Sequence, residues 1–148
     1  MTESERKRKT LLGNAGEKIV ANFFSKEGFN VETSIDPYDK SKDMKVNDKT
    51  VEVKTQVPFI FKNAFTIKDN HQLKKCKNAD ALVFVQAPCS KLDEAGIFQI
   101  DKGFEYSKYT TKSGNKMILL PMNQPAVRQL TSIEAENKEI LRKYATDF

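Results

Sequence analysis

The feature that most constrains this chain is a predicted β-hairpin over residues 42–56. Asn47 and Asp48 favour a two-residue turn, because both side chains tolerate positive φ and hydrogen-bond to their own backbone. With these two residues as the loop, Asp43 lies opposite Glu52, and the pleat sorts the side chains into two faces. The apolar face comprises Met44, Val46, Val51 and Val53, and the polar face comprises Asp43, Lys45, Thr50, Glu52, Lys54 and Gln56.

Two carboxylates therefore oppose each other on the polar face of the hairpin. Like charges whose Cβ atoms are about 5 Å apart destabilise a strand pair, so a cation between Asp43 and Glu52 is the natural compensation. Lys54 points to the same side, two residues beyond Glu52. Two interpretations stay open: a solvated face of mixed charge, or a cation-binding cleft. A loop one residue longer or shorter makes Asp39 the acid to consider instead of Asp43.

The length of 148 residues fits one domain with a substantial core. We divide the chain into a basic arm or helix extension at residues 1–12 and a single folded domain at residues 13–148. No apolar run approaches the ~20 residues of a membrane span, and the N-terminus lacks the apolar segment of a secretory signal. We therefore expect a cytoplasmic protein without a membrane partner, in the host's cytoplasm if a phage encodes it.

The cysteine and histidine content argues against a zinc site. Cys76 and Cys89 lack Cys-x-x-Cys spacing, and His71 is the only histidine. We expect two reduced thiols, as is usual in the cytoplasm. The net charge of +5 is compatible with a nucleic-acid partner, although many cytoplasmic proteins share it.

Apolar residues spaced three and four apart predict a first helix from Gly13 or Asn14 to about Glu27. Asn14 is the expected N-cap, and Gly28 is expected to be the left-handed residue after the last turn. Glu17 falls at the margin of the apolar stripe, so we expect it to be half-buried. A carboxylate there is either a structural partner or an acid aimed into a cleft.

Two groups of basic residues are candidate phosphate contacts. One is a run near the N-terminus, and the other lies in or beside a polar, loop-like segment in which lysines alternate with tyrosines. A solvated tail and a solvated loop are the alternatives. The two groups comprise Arg6, Lys7, Arg8 and Lys9, and Lys108, Lys112 and Lys116.

The rest of the chain predicts further strands and two helices. One helix is capped by Asp69 or Asn70 and runs to about Lys77, and the other runs from a capping box at Thr131–Glu134 to about Ala145. Besides the hairpin, the predicted strands are 29–33, 65–67, the continuously apolar 81–85, 97–100 and, as the last strand, 117–120. The predicted fold is α/β, with a single mixed β-sheet flanked by helices.

The combination of the helical Glu17, Asp43 and the strand segment Glu-Val-Lys at 52–54 resembles the PD-(D/E)xK nuclease superfamily. Within it, the pattern is most similar to the archaeal-type Holliday junction resolvases. The resemblance covers about residues 13–87, although Lys42 stands where the signature has a proline. It implies a restriction endonuclease-like core with the element order αβββαβ.

The resemblance also implies a metal-dependent phosphodiesterase that acts on DNA. Asp43 and Glu52 would bind one or two Mg²⁺ ions, for which Mn²⁺ would substitute, and the Val53 carbonyl would be a further ligand. Lys54 would either orient the attacking water or stabilise charge on the phosphate. Glu17 would complete the outer shell or a second metal site.

Elementary chemistry is compatible with these assignments. Phosphodiester hydrolysis needs a hydroxide and positive charge on the phosphate oxygens, and carboxylate-bound divalent ions provide both. Mg²⁺ prefers oxygen ligands and keeps several waters, so a chain with one histidine can still bind it. Gln56 matches a polar residue that some branches of the superfamily carry two positions after the lysine.

The leading hypothesis is a small Mg²⁺-dependent DNA endonuclease, selective for branched structures such as Holliday junctions or for nothing in particular. A symmetric homodimer is expected by analogy, because it presents two sites to paired strands. The alternatives are a catalytically silent DNA-binding module on the same fold and a nuclease that acts on RNA or on DNA ends.

Overall fold

The computed structural model describes residues 2–33, 44–57, 63–88 and 94–145. Within these ranges, the helices are α1 (Glu3–Lys26), α2 (Asn70–Asn78) and α3 (Ala135–Tyr144). The strands there are β1 (Val31–Glu32), β2 (Met44–Val46), β3 (Lys49–Gln56), β4 (Ala64–Ile67), β5 (Ala81–Gln86), β6 (Gly96–Ile100), β7 (Ser107–Thr110), β8 (Lys116–Pro121) and β9 (Val127–Ser132).

The strands form two sheets, so the prediction of a single sheet is wrong, while the α/β class is confirmed. Sheet A is six-stranded and mixed, in the order β1-β2-β3-β5-β6-β9, with β3 and β5 parallel and the other neighbours antiparallel. Sheet B is antiparallel, in the order β4-β8-β7. All four residues of β4 are buried, and β4 pairs with β8 rather than joining sheet A.

Sheet A lies between two apolar layers. On one face, Val51, Val83 and Ile97 belong to a core with residues of α1 and α3 such as Val20 and Leu141. On the opposite face, residues of β5 and β6 contact α2 and sheet B, through a second core that includes Phe65, Leu73, Leu82, Phe84 and Leu120. The rings of Phe65 and Phe84 stack with centroids 4.3 Å apart, which joins the two sheets directly.

Helix α1 begins about ten residues earlier than predicted. The Thr2 hydroxyl accepts a hydrogen bond from the Glu5 N–H at 3.2 Å and caps the helix, so the prediction of Asn14 as N-cap is wrong. The basic run is therefore helical. For residues 1–12 we expected either a basic arm or a helix extension, and the described residues of this range form the helix extension. Gly28 has φ +93°, which confirms the predicted left-handed residue after the helix.

The C-terminal third differs most from the sequence prediction. The segment around Lys108, predicted as a loop, contains strand β7, and β8 is not the last strand because β9 follows it. The predicted capping box is wrong: Thr131 lies in β9 opposite Ile97, and α3 starts after Glu134 without a side-chain cap. Pairing with the buried β6 fixes Thr131 in a strand, which overrides its local preference for a helix cap.

Candidate active site

The hairpin has the predicted register. Met44 pairs with Val51 and Val46 with Lys49, and the turn residues Asn47 and Asp48 have φ of 49° and 66°. Positive φ at both positions is the conformation of a type I′ turn, whose twist matches that of the flanking strands. The side chains of β2 and β3 therefore divide between the two faces of sheet A as predicted.

Glu52 is the buried acid of the site. Its neighbour Val51 faces the α1 core, whereas Glu52 points to the α2 side of sheet A and retains 6% of its accessible surface. Burial of a carboxylate is costly unless a cation or hydrogen-bond donors compensate it. Lys54 Nζ lies 3.1 Å from Glu52 Oε1 and supplies that charge. A fully solvated face of mixed charge is therefore excluded at Glu52.

Lys54 is held from a second side by helix α2. Its Nζ donates a 2.6 Å hydrogen bond to Gln72 Oε1, and its side chain is 26% exposed. Gln72 is three residues after the N-cap Asp69, whose side chain accepts from the Gln72 N–H at 2.9 Å. The predicted cap at Asp69 is thus confirmed, and it anchors the turn that carries Gln72. The sequence analysis did not identify Gln72, and its position after an Asp cap is the only local signal that marks it.

Gln56 uses its side-chain amide to join the two sheets. Its Nε2 donates to the Thr66 carbonyl at 2.8 Å, and its Oε1 accepts from the Thr66 N–H at 2.7 Å. These bonds attach β4 of sheet B beside the C-terminal end of β3. Gln56 lies on the same face as Glu52 and Lys54, and its contacts assign it a structural role at the border of the site.

The backbone of β3 presents Val53 toward the β2 side of the sheet. A two-residue turn makes Val46–Lys49 the closing hydrogen-bonded pair, so the N–H and C=O groups of odd-numbered residues of β3 point toward β2. Consistently, the Gln56 carbonyl points the other way and accepts from the Ala87 N–H at 2.9 Å. In the described part of β2, pairing stops opposite Val51, two residues before Val53.

The two candidate upstream acids, Asp39 and Asp43, lie outside the described residues. The pairing of Met44 with Val51 fixes the register up to the residue that follows Asp43. The opposition of Asp43 and Glu52 stays a prediction.

Glu17 is exposed, so the prediction that it is half-buried is wrong. It follows Gly16, at which α1 approaches β3 so closely that an added Cβ would lie 1.7 Å from Thr55 Oγ1. Thr55 is an odd-numbered residue of β3, so this contact is on the face opposite to Glu52 and Lys54. The α1 helix thus lies behind the sheet at the level of the site. A role for Glu17 requires its side chain to reach from this face of sheet A to the face that carries Glu52.

A second carboxylate lies on the Glu52 face at the start of β5. Asp80 Oδ2 accepts hydrogen bonds from the Thr50 N–H at 2.9 Å and the Thr50 hydroxyl at 3.2 Å. These bonds, the backbone one first, lower the pKa of Asp80 below its ordinary value of 3.8, with help from the charges of Lys102 and Lys49. Asp80 therefore ties β3 to the loop before β5 as a carboxylate.

The donors available for a metal ion are oxygens. Glu52 offers a buried carboxylate and Val53 a carbonyl directed toward the β2 side, which suits Mg²⁺ or Mn²⁺ chemically. Among the described residues, no three His, Cys, Asp or Glu side chains form a metal-binding group. The donor set therefore fits a hard divalent cation only together with acids from residues 34–43 or from Glu17.

The second predicted group of basic residues lies on the β7–β8 hairpin. Lys108 is on β7, Lys116 pairs with Thr110, and Lys112 is exposed in the connecting turn. Nearby, Lys77 Nζ donates to Tyr106 Oη at 3.0 Å and lies 4.6 Å from the centre of its ring. The hydrogen bond from Lys77, then its charge, lower the pKa of the Tyr106 phenol below 10.0.

Comparison with protein-family models, with curated proteins and with solved structures yields no match to this chain. In the described part of the chain, no helix is both long and apolar enough to cross a bilayer.

Proposed function

We propose that this protein is a metal-dependent DNA endonuclease of the PD-(D/E)xK type. The observation that carries the proposal is the buried Glu52 carboxylate, paired at 3.1 Å with Lys54 on a strand next to a tight hairpin turn. The order of the elements α1, β1, β2, β3, α2 and β5 supports the restriction endonuclease-like core αβββαβ, with β4 of sheet B as an additional strand between β3 and α2. Mg²⁺ is the proposed cofactor, and Mn²⁺ is expected to substitute for it.

In the proposed site, a few oxygen donors bind the metal ion. Glu52 and the Val53 carbonyl would hold the metal, completed by Asp43 or Asp39 and by Glu17. A divalent ion in such a site supplies positive charge to the phosphate and makes a bound water more acidic. Burial of Glu52 restricts its rotamers and excludes water from its surroundings, which strengthens electrostatic interactions there.

Lys54 is suited to stabilise negative charge. An ammonium has three N–H donors, and two acceptors for Lys54 are present in the described residues, Glu52 Oε1 and Gln72 Oε1. Of the described residues, only these two accept from Lys54, and the third donor would contact a phosphate oxygen or the attacking water. The ion pair with Glu52 and the hydrogen bond to Gln72 hold the ammonium group in place, which suits an electrostatic role at the phosphate.

DNA is the proposed substrate, with selectivity for branched structures such as Holliday junctions. The net charge of +5 and the exposed lysines of the β7–β8 hairpin are compatible with phosphate contacts. Junction cleavage needs two sites, so a homodimer belongs to the proposal. We place the protein in the cytoplasm.

The test is cleavage of linear duplex, junction and single-stranded DNA, and of RNA, with and without Mg²⁺. We expect Glu52→Gln to reduce cleavage by at least about a hundredfold, because metal-bound groups contribute several kcal/mol to the barrier. Glu32→Gln, at an exposed carboxylate of β1, is the matched control and should cleave like the wild type. Circular dichroism of each variant separates catalytic loss from unfolding. Equal cleavage by the wild type and by folded Glu52→Gln would end the proposal.

A catalytically silent DNA-binding module is the second candidate. The observation in its favour is that Lys54 already neutralises Glu52, as in a structural ion pair. This candidate predicts salt-dependent DNA binding without cleavage in any divalent metal. Cleavage confined to RNA or to DNA ends in the same assay identifies the third possibility, a nuclease with another substrate.

A further inference from the structure

The polar side of strand β2 forms an open surface beside the proposed site. The residues on either side of Lys45 in β2 are buried in the core with α1, so Lys45 points to the face of sheet A that carries Glu52. Lys45 is exposed there, and it pairs with Thr50 of β3 on one side and with Glu32 of β1 on the other. Glu32 is exposed as well, so this half of the face is accessible to solvent.

The other half of the same face is covered. Leu82 and Phe84 of β5 lie beside Glu52 and Lys54 in the strand register, and both are buried in the core with α2 and sheet B. Gln72 of α2 covers the site further, because it accepts the hydrogen bond from Lys54. Within the ranges that the structure describes, the open polar surface next to Glu52 is therefore the one on β2.

The strand register fixes how far Lys45 is from the proposed metal ligands. Lys45 and Thr50 follow the closing pair of the hairpin and form a non-hydrogen-bonded pair, whose Cα atoms are about 4.5 Å apart. Glu52 is two residues further along β3, which adds about 7 Å at right angles to the first distance. The Cα atoms of Lys45 and Glu52 are thus about 8 Å apart. Lys45 therefore borders the place where Glu52 and the Val53 carbonyl would hold the metal.

The ammonium group of Lys45 is not committed to an acid of the described residues. Glu32 lies directly opposite Lys45, yet neither side chain forms an ion pair with another described residue. An exposed pair of this kind would contribute less than about 1 kcal/mol even if it formed. The other two acids described on this face are already compensated, Glu52 by Lys54 and Asp80 by its hydrogen bonds to β3.

Resting on the proposed function, we infer that the open face of β1 and β2 carries the cleaved strand and that Lys45 binds a phosphate of this strand beside the cut. A phosphodiester held at Glu52 and the Val53 carbonyl continues into its neighbouring nucleotides, and α2 with the buried part of β5 closes one side. The strand therefore passes over β2. A phosphate contact carries no sequence information, so Lys45 adds affinity and position rather than base specificity.

Binding is measured by fluorescence anisotropy on duplex DNA, without divalent metal, across a series of salt concentrations. Loss of one phosphate contact reduces the slope of log K against log salt by about 0.9. We expect this reduction in Lys45→Gln and the wild-type slope in Lys45→Arg, which keeps the charge. The matched control is Lys49→Gln, because Lys49 is an exposed lysine of the same hairpin whose pairing with Val46 places it on the opposite face. This control removes the same charge and should change the slope by less than half as much.

Single neutral methylphosphonates locate the contact along the DNA. We expect a position beside the cut at which the substitution weakens binding of the wild type and leaves binding of Lys45→Gln unaffected. In Mg²⁺, Lys45→Gln should raise KM more than it lowers kcat, because a contact outside the reacting phosphate is made equally in the ground and transition states.

The outcomes separate the inference from the proposed function. Equal slopes for Lys45→Gln and Lys49→Gln overturn the inference, even if the protein cleaves DNA. A methylphosphonate pattern that is the same in the wild type and in Lys45→Gln also overturns it. A protein that cleaves nothing, but whose slope falls in Lys45→Gln and not in Lys49→Gln, retains the binding face and loses the proposed nuclease activity.

Discussion

Gly16 fixes the distance between helix α1 and strand β3, so Gly16→Ala is the sharpest test of the packing behind the site. An added Cβ would lie 1.7 Å from Thr55 Oγ1, 2.8 Å from Thr55 Cβ and 2.9 Å from Thr55 Cγ2. Rotation about χ1 moves Oγ1 and Cγ2 but not Cβ. The new methyl group therefore requires α1 or β3 to shift, and a change of rotamer does not suffice.

Two opposing terms decide the magnitude. Alanine is favoured over glycine inside a helix by about 1 kcal/mol. Overpacking of a well-packed core costs about 1–3 kcal/mol, and the overlap at Thr55 cannot be relieved by the flexible end of a side chain. Gly13 is the matched control, since no atom lies within 4 Å of an added Cβ there. Both substitutions gain the same helix preference, so the difference between them isolates the contact with Thr55.

We expect Gly13→Ala to raise the free energy of unfolding by about 0.5–1 kcal/mol. Gly16→Ala should be less stable than Gly13→Ala by about 1–3 kcal/mol. Urea denaturation measures both, and for a chain of this length each kcal/mol corresponds to roughly 2–4 °C in Tm.

The double variant Gly16→Ala with Thr55→Ala identifies the partner. Thr55→Ala removes Oγ1, which among the described residues is a buried side-chain oxygen without a hydrogen-bond partner, together with Cγ2. We expect a coupling energy of about 0.5–3 kcal/mol that partly restores stability. Equal stability of the Gly13→Ala and Gly16→Ala variants would refute the close approach of α1 to β3, and additivity in the double variant would refute Thr55 as its cause.

Two further predictions concern contacts near Glu52. Gln72→Leu should lower the free energy of unfolding by about 1.5–3 kcal/mol, because it removes the neutral acceptor of a hydrogen bond from the charged Lys54. Gln72→Glu keeps an acceptor for Lys54 and should lose less stability. Equal losses of stability in urea denaturation would contradict the role of this hydrogen bond. Asp80 has a lowered pKa in the folded state, so its contribution is complete above the unfolded-state value of 3.8 and is lost as the pH falls through the folded-state value. Asp80→Asn should therefore flatten the dependence of stability on pH below about pH 5, and an unchanged curve would show that the bonds from Thr50 do not set this pKa.

The elements that the sequence predicts correctly are those fixed by local rules. Asn47 and Asp48 define the turn, and alternation around them defines the register, because a shift by one residue would expose Met44 and Val51. Asp69 caps α2 by the same local chemistry. Local rules also explain why the first helix is predicted to begin too late. The N-terminal extension of α1 lacks an apolar stripe, so hydrophobic periodicity does not indicate a helix there, whereas the capping residue Thr2 does.

The features that the sequence does not predict depend on partners that are distant along the chain. Lys54 and Gln72 are 18 residues apart, and nothing in either local sequence indicates that α2 will lie over β3. The assignment of β4 to sheet B likewise depends on its pairing with β8, more than fifty residues later. This division has a functional consequence. The Glu-x-Lys segment is local and recurs by chance, whereas the burial of Glu52 and the hydrogen bond from Lys54 to Gln72 require the whole fold. These two non-local features therefore distinguish the proposed site from an ordinary charged strand. Loss of the hydrogen bond in Gln72→Leu should lower the proposed nuclease activity more than it lowers DNA binding.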